Sequence, residues 1–120
     1  MTTQTEQGHA GGFILSVANG KRSFKNVTVA SGENMQAGEV YAEVGGYAVP
    51  FDTADSSGGA DTVAGILFDA VDATAAAVAG VGVVRDAEVN TNELVWPTGI
   101  SANDKATAVT ALGALGIIVR

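Results

Sequence analysis

The chain contains no cysteine, which excludes disulfides and thiolate metal sites and leaves stability to packing and association. Histidine occurs once, at His9, so neither a His-based catalytic triad nor a multi-histidine metal site can be assembled. Large side chains are scarce: aromatics supply 6% of the residues, and the 47% hydrophobic share is built largely from Ala and Val. Cores of small side chains bury less area per residue. At roughly 25 cal/mol per Å² of apolar surface removed from water, such a chain gains from burying more surface between subunits. The first residues lack the basic start and apolar run of a secretory signal. The longest apolar stretch, Ala75 to Val84, is too short to span a bilayer and is interrupted by Gly80 and Gly82. A soluble product without a membrane partner is expected, and 120 residues support one domain.

Positive charge is scarce too, and its placement is uneven. Residues 1–30 carry Lys21, Arg22 and Lys25 against Glu6, net +2, while residues 31–120 carry twelve acids against Arg85, Lys105 and Arg120, net -9. Nucleic acid is an unsuitable partner for this balance, because its affinity comes from clustered Lys and Arg on phosphates. The basic segment suits an acidic partner, or is simply a solvated loop.

What is present reads as an arm, a small β-rich body and a late helix. Residues 1–12 are polar and glycine-rich, the composition of a flexible terminus that orders on a partner. Phe13 to Val17 is β-prone and runs into the turn signal Asn19-Gly20. An apolar strand on a flexible arm leaves backbone groups unpaired, so pairing with another chain is expected. Further strands are expected at Val27–Val29, Gly38–Val44, Tyr47–Phe51, Thr62–Phe68 and Val78–Val84, with Pro50 at an edge or strand end. Residues 52–61 read as a loop, and the Ala run at 73–77 is open between helix and connection. After Pro97, Ser101 and Asp104 form a capping-box variant that opens a helix, with Ala102, Ala106, Val109 and Leu112 on its inner face and Asn103, Lys105 and Thr107 outward. Gly113 or Gly116 is expected to end it, before a buried terminal strand at Ile117–Val119. The class is mainly β with one short C-terminal helix.

Chemical motifs are weak. Gly80-Val81-Gly82 begins like a dinucleotide fingerprint, but Arg85 replaces the third glycine, and strand glycines in close packing are the better reading. Asp52, Asp55 and Asp61 miss the spacing of a calcium loop. His9 reads as an exposed polar residue, and Asn26-Val27-Thr28 is a glycosylation acceptor only in a secreted protein. No enzyme, metal or cofactor is expected. Trp96, the only Trp, is either a hot spot between subunits or a core anchor, and Pro97 sets the loop before the helix.

Fragments spread along the chain resemble one family. They are His9 to Phe13, Ala18-Asn19-Gly20, Gly38 to Val44, Ala64-Gly65-Ile66-Leu67, Val84 to Val89, Leu94-Val95-Trp96-Pro97 and Ile118-Val119-Arg120. Together they are similar to the head decoration proteins of tailed bacteriophages, the phage lambda head decoration protein family. The resemblance implies a homotrimeric cement protein with a small β-clip-like fold. It would bind the major capsid protein on the outer surface of an expanded icosahedral head at threefold and quasi-threefold positions. It would be made in the host cytoplasm and stabilise the virion shell against internal DNA pressure. In these terms residues 1–25 form a flexible capsid-binding arm, with Phe13, Ile14, Leu15, Lys21, Arg22, Phe24 and Lys25 as contacts. Residues 26–120 form the trimerising decoration domain, anchored by Trp96 and Pro97. A carbohydrate-binding or adhesion module is the alternative, with Tyr41, Tyr47 and Trp96 as its candidate aromatics.

Overall fold

The computed structural model describes residues 9–55 and 58–120. Among them the strands are β1 (Ile14–Val17), β2 (Phe24–Val29), β3 (Glu33–Met35), β4 (Val40–Val44), β5 (Tyr47–Pro50), β6 (Val63–Leu67), β7 (Val71–Ala73), β8 (Val78–Val83), β9 (Ala87–Val89) and β10 (Ile117–Val119). A short 3-10 turn at Thr91–Glu93 and one helix, α1 (Ala102–Ala114), complete the chain. The protein is mostly β with a single C-terminal helix, as the sequence implies.

Side-chain alternation lets a chain with few large residues build two cores. In β4, Val40 faces one cluster and the next residue, Tyr41, the other; in β6, Ile66 and Leu67 divide in the same way. Five strands close into a barrel in the order β2-β5-β4-β6-β8. Val27, Val29, Tyr41, Ala48 and Leu67 fill it, together with Met35, Val71 and Ala73 from the separate β3-β7 ribbon. Closure removes open edges from these strands. Pro50 sits at the last position of β5, where its missing N–H costs least.

The second cluster lies outside the barrel, where Val40, Phe51, Val63, Ile66 and Val83 meet Phe13, Val89, Ile117 and the helix residues Ala108 and Leu112. A three-stranded sheet, β1-β9-β10, covers this side. It joins distant parts of the chain: β1 is antiparallel to β9, with Ser16 opposite Glu88, and β10 is parallel to β9, with Ile118 opposite Glu88.

Several expectations change. The Asn19-Gly20 turn forms, but it does not make a hairpin, because β1 pairs with β9 and β2 with β8. β2 begins at Phe24, earlier than its apolar run suggests, because it pairs with β8 from Phe24↔Val83 to Val29↔Val78. The Ala run is a bend after β7 and not a helix.

In α1 the buried residues are Ala108 and Leu112; Lys105 is half-buried, and Ala102 and Ala106 are exposed. Leu112 belongs to both the expected and the observed stripe, and in a helix this rich in Ala little else fixes the phase. Ser101 Oγ accepts from Asp104 N at 3.1 Å, capping the start. Gly116, at φ 94, ends the helix in the left-handed conformation that glycine adopts freely. In β10 only Ile117 is buried; Ile118 is 50% exposed because alternation along the strand turns it to the outer face beside Glu88.

Candidate functional site

The basic segment is held to the body by a small polar node. Asp86 adopts φ 52, a left-handed conformation that aspartate tolerates better than most side chains. Its carbonyl accepts from Ala18 N at 3.1 Å and from Ser23 Oγ at 2.9 Å, and Ser23 Oγ in turn accepts from Ala18 N at 3.0 Å. Ser23 is fully buried, so its hydroxyl is satisfied where no solvent reaches. Arg22 Nε pairs with Asp86 Oδ2 at 3.0 Å, and Arg85 Nη1 donates to the Arg22 carbonyl at 2.7 Å.

These contacts sort the residues nominated as an arm. Phe13 is 2% exposed and belongs to the core, so in this conformation its ring is not available to another molecule. Ile14 is half-buried against the core and opposite Val89. The strand expected to seek a partner chain thus has one within its own chain. Leu15, in an irregularity of the β1-β9 register, is 54% exposed. Arg22 and Lys25 are engaged in surface ion pairs, with Asp86 and, at 3.4 Å, with Glu43. Lys21 is exposed. Phe24 is half-buried, edge to face with Phe68, with ring centroids 5.6 Å apart. Residues 1–8 of the nominated arm lie outside the described residues.

The outer face of β1-β9-β10 combines charge with apolar surface. Glu88 accepts from Ser16 Oγ at 2.7 Å through one oxygen and is gripped by Arg120 Nε at the other. The Ser16 hydrogen bond first, then the Arg120 guanidinium, holds the Glu88 carboxyl below its usual range. Leu15, Val17 and Ile118 are exposed nearby on the outer strands β1 and β10. Glu88 and Ile118 escape a sequence reading because β9 is three residues long and lies between two outer strands distant in sequence.

At the far end of the barrel, Tyr47 and Val78 are exposed, as is the run Ala75 to Ala79. Val29 stands opposite both Ala48 and Val78, which places these residues around one rim.

Trp96 and Pro97 are both half-buried. The Trp96 segment is pinned to β4: Val40 N donates to Val95 O at 3.1 Å and Val95 N to Gly38 O at 2.9 Å. Trp96 packs against the outer core, and Lys105 Nζ lies 5.5 Å from the indole ring centre. Its Nε1 is buried and has no hydrogen-bond partner among the described residues. Trp96 and Pro97 line a cleft with Glu39, Pro50 and Phe51, and burial pushes the Glu39 carboxyl up. A glycan platform does not assemble from the three candidate aromatics, since Tyr41 is fully buried and Lys105 lies over the Trp96 ring.

Loop acids serve local turns. Asp52 Oδ1 accepts from Ala54 N at 3.0 Å and Asp55 Oδ1 from Gly58 N at 3.0 Å. Among the described residues no group of three His, Cys, Asp or Glu side chains gathers to hold a metal ion, and no helix is long and apolar enough to cross a membrane. The arrangement offers surfaces for docking. A family model, bacteriophage lambda head decoration protein D, matches residues 3–117. No curated protein matches the chain.

Proposed function

This chain belongs to the bacteriophage lambda head decoration protein D family, which makes it a phage capsid decoration protein, and from that premise we propose how it works. It binds as a homotrimer to the outer surface of the expanded icosahedral head, at threefold and quasi-threefold positions, and braces the shell against internal DNA pressure. The family match over residues 3–117 carries this reading. It is a structural protein without a catalytic role, made in the host cytoplasm, and its partners are the major capsid protein and its own copies, with no nucleic acid or membrane.

The surfaces divide between these two kinds of partner. The exposed rim of Tyr47, Val78 and the Ala run favours self-association, since a core of small side chains leaves apolar area to cover. The N-terminal segment, with Leu15 and Lys21 exposed beside it, faces the capsid. Phe13, Ile14, Arg22, Phe24 and Lys25 hold that segment to the body and present it. The division of labour at residue 25 is therefore functional, and residues 13–25 are folded on the domain they serve. Three such segments in one trimer act at a shared effective concentration, so weak single contacts sum to firm binding.

Co-sedimentation tests the proposal. Purified protein is mixed with expanded heads of its own phage assembled without it, and copies per capsid subunit are counted. Saturable binding in multiples of three, with raised resistance of the heads to heat, is the expected result. Absence of binding to expanded heads overturns it.

A further inference from the structure

We propose that the cleft between Phe24 and Phe68 receives one large apolar side chain of the major capsid protein, with Lys21 pairing an acidic residue next to it; the inference rests on the decoration role above.

The cleft is an open surface hollow of about 350 Å³, lined by Lys21, Phe24, Asn26, Phe68 and Val81. Its walls are almost entirely apolar. The two rings meet edge to face at 89°, and both contribute to the lining. Lys21 and Asn26, both exposed, supply the polar groups of the lining. Apolar walls with polar groups at the margin are the anatomy of an interface anchor pocket.

The path of the chain links this cleft to the N-terminal segment. Gly11 N donates to the Phe68 carbonyl at 2.9 Å, and a β-carbon on Gly11 would stand 2.9 Å from Phe68 Cε1. Gly11 therefore lies against one wall of the cleft, so a partner that grips the chain at His9 to Gly12 is brought to its mouth. Met1 to Gln7 is itself mostly polar, a poor filling for aromatic walls. Charge points the same way. Of the three cations in the segment, Arg22 and Lys25 are paired with Asp86 and Glu43 of the same chain, while Lys21 stands exposed at the cleft. Pairing an acid from outside costs Lys21 no internal contact among those described.

Full-length Lys21→Glu and Val81→Lys test the assignment in the head co-sedimentation assay, beside sedimentation velocity and thermal melting of each variant. Lys21→Glu changes only an exposed position and keeps the test open even where Val81→Lys loosens the barrel. The expected result is at least a tenfold weaker binding to heads for each folded variant, with self-association unchanged. Variants that bind like the wild type, beside a wild type that binds, overturn the cleft alone. Variants that lose self-association instead make the cleft an interface between copies and overturn the capsid assignment. A wild type that fails to bind heads overturns the decoration mechanism on which the inference rests.

Discussion

The phenol of Tyr41 lies across the backbone of Gly82, so close that a β-carbon there would come within 2.9 Å of Tyr41 Cζ and nearer still to its oxygen. On the next strand a β-carbon on Gly65 would meet the same oxygen at 2.9 Å. The buried phenol thus occupies space that two strand glycines leave open. Gly82→Ala is expected to lower stability by about 2 kcal/mol, the range of overpacking in a well-packed core. The cost should shrink in a Tyr41→Phe background, because the nearest obstructing atom is the hydroxyl. Urea unfolding of the four chains in this cycle measures the coupling, and equal costs of Gly82→Ala with Tyr and Phe at position 41 would sink the argument.

The same hydroxyl has no hydrogen-bond partner among the described residues. Burial, and secondarily the negative charge of Glu43, push its ionisation well above the usual tyrosine range. For a group whose folded pKa is raised, stability is fully present below the unfolded pKa of about 10 and declines as pH rises beyond it. Melting temperature should therefore fall more steeply above about pH 10 in the wild type than in Tyr41→Phe. At neutral pH the Phe variant should be as stable or more stable by about 1 kcal/mol, since it removes an unsatisfied buried group. A Phe variant with the same alkaline decline excludes Tyr41 as the cause.

Strands with long apolar runs were legible in the sequence because both of their faces are buried: Val40-Tyr41-Ala42 and Ile66-Leu67 each serve two cores. The cap at Ser101 was legible from local chemistry alone, and so was the close packing of Gly80 and Gly82. The three-residue strands β3, β7 and β9 were not, because their pairing depends on contacts from elsewhere in the chain and three residues carry no period. The polar node was hidden for a related reason: Arg22 and Asp86 stand 64 residues apart, and nothing local marks Ser23 as buried. The cleft was half visible. Lys21 and Phe24 were singled out, but Phe68 read as the end of an ordinary strand, and only folding brings its ring to Phe24.

Glu88 couples β1 to the acid side of the pH scale. Its folded pKa is lowered, first by Ser16 and then by Arg120, so its contribution is present above the unfolded value near 4.3 and is lost as pH falls through the lower folded value. Amide hydrogen exchange of β1 should accelerate, relative to the barrel strands, as pH drops below about 4 once intrinsic rates are corrected. Ser16→Ala should shift the Glu88 carboxyl upward in an NMR titration. An unchanged titration would show that the hydroxyl does not hold the carboxylate in solution.

Truncation separates the segment that docks from the segment that folds. Removing residues 1–8 takes away a mostly polar stretch and should leave stability within about 0.5 kcal/mol of the full chain. Removing residues 1–25 deletes Phe13, which is 2% exposed, the whole of β1, and both donors to the Asp86 carbonyl, Ala18 N and the buried Ser23 hydroxyl. Loss of a buried Phe alone costs about 3–5 kcal/mol, a large part of the stability of a small domain. The longer truncation should therefore be unfolded or severely destabilised, and its failure to bind heads would say nothing about docking. The shorter one should remain folded yet bind heads more weakly, as circular dichroism and co-sedimentation can both report. A stable, cooperative fold in the chain beginning at residue 26 would instead make the whole of residues 1–25 a detachable arm.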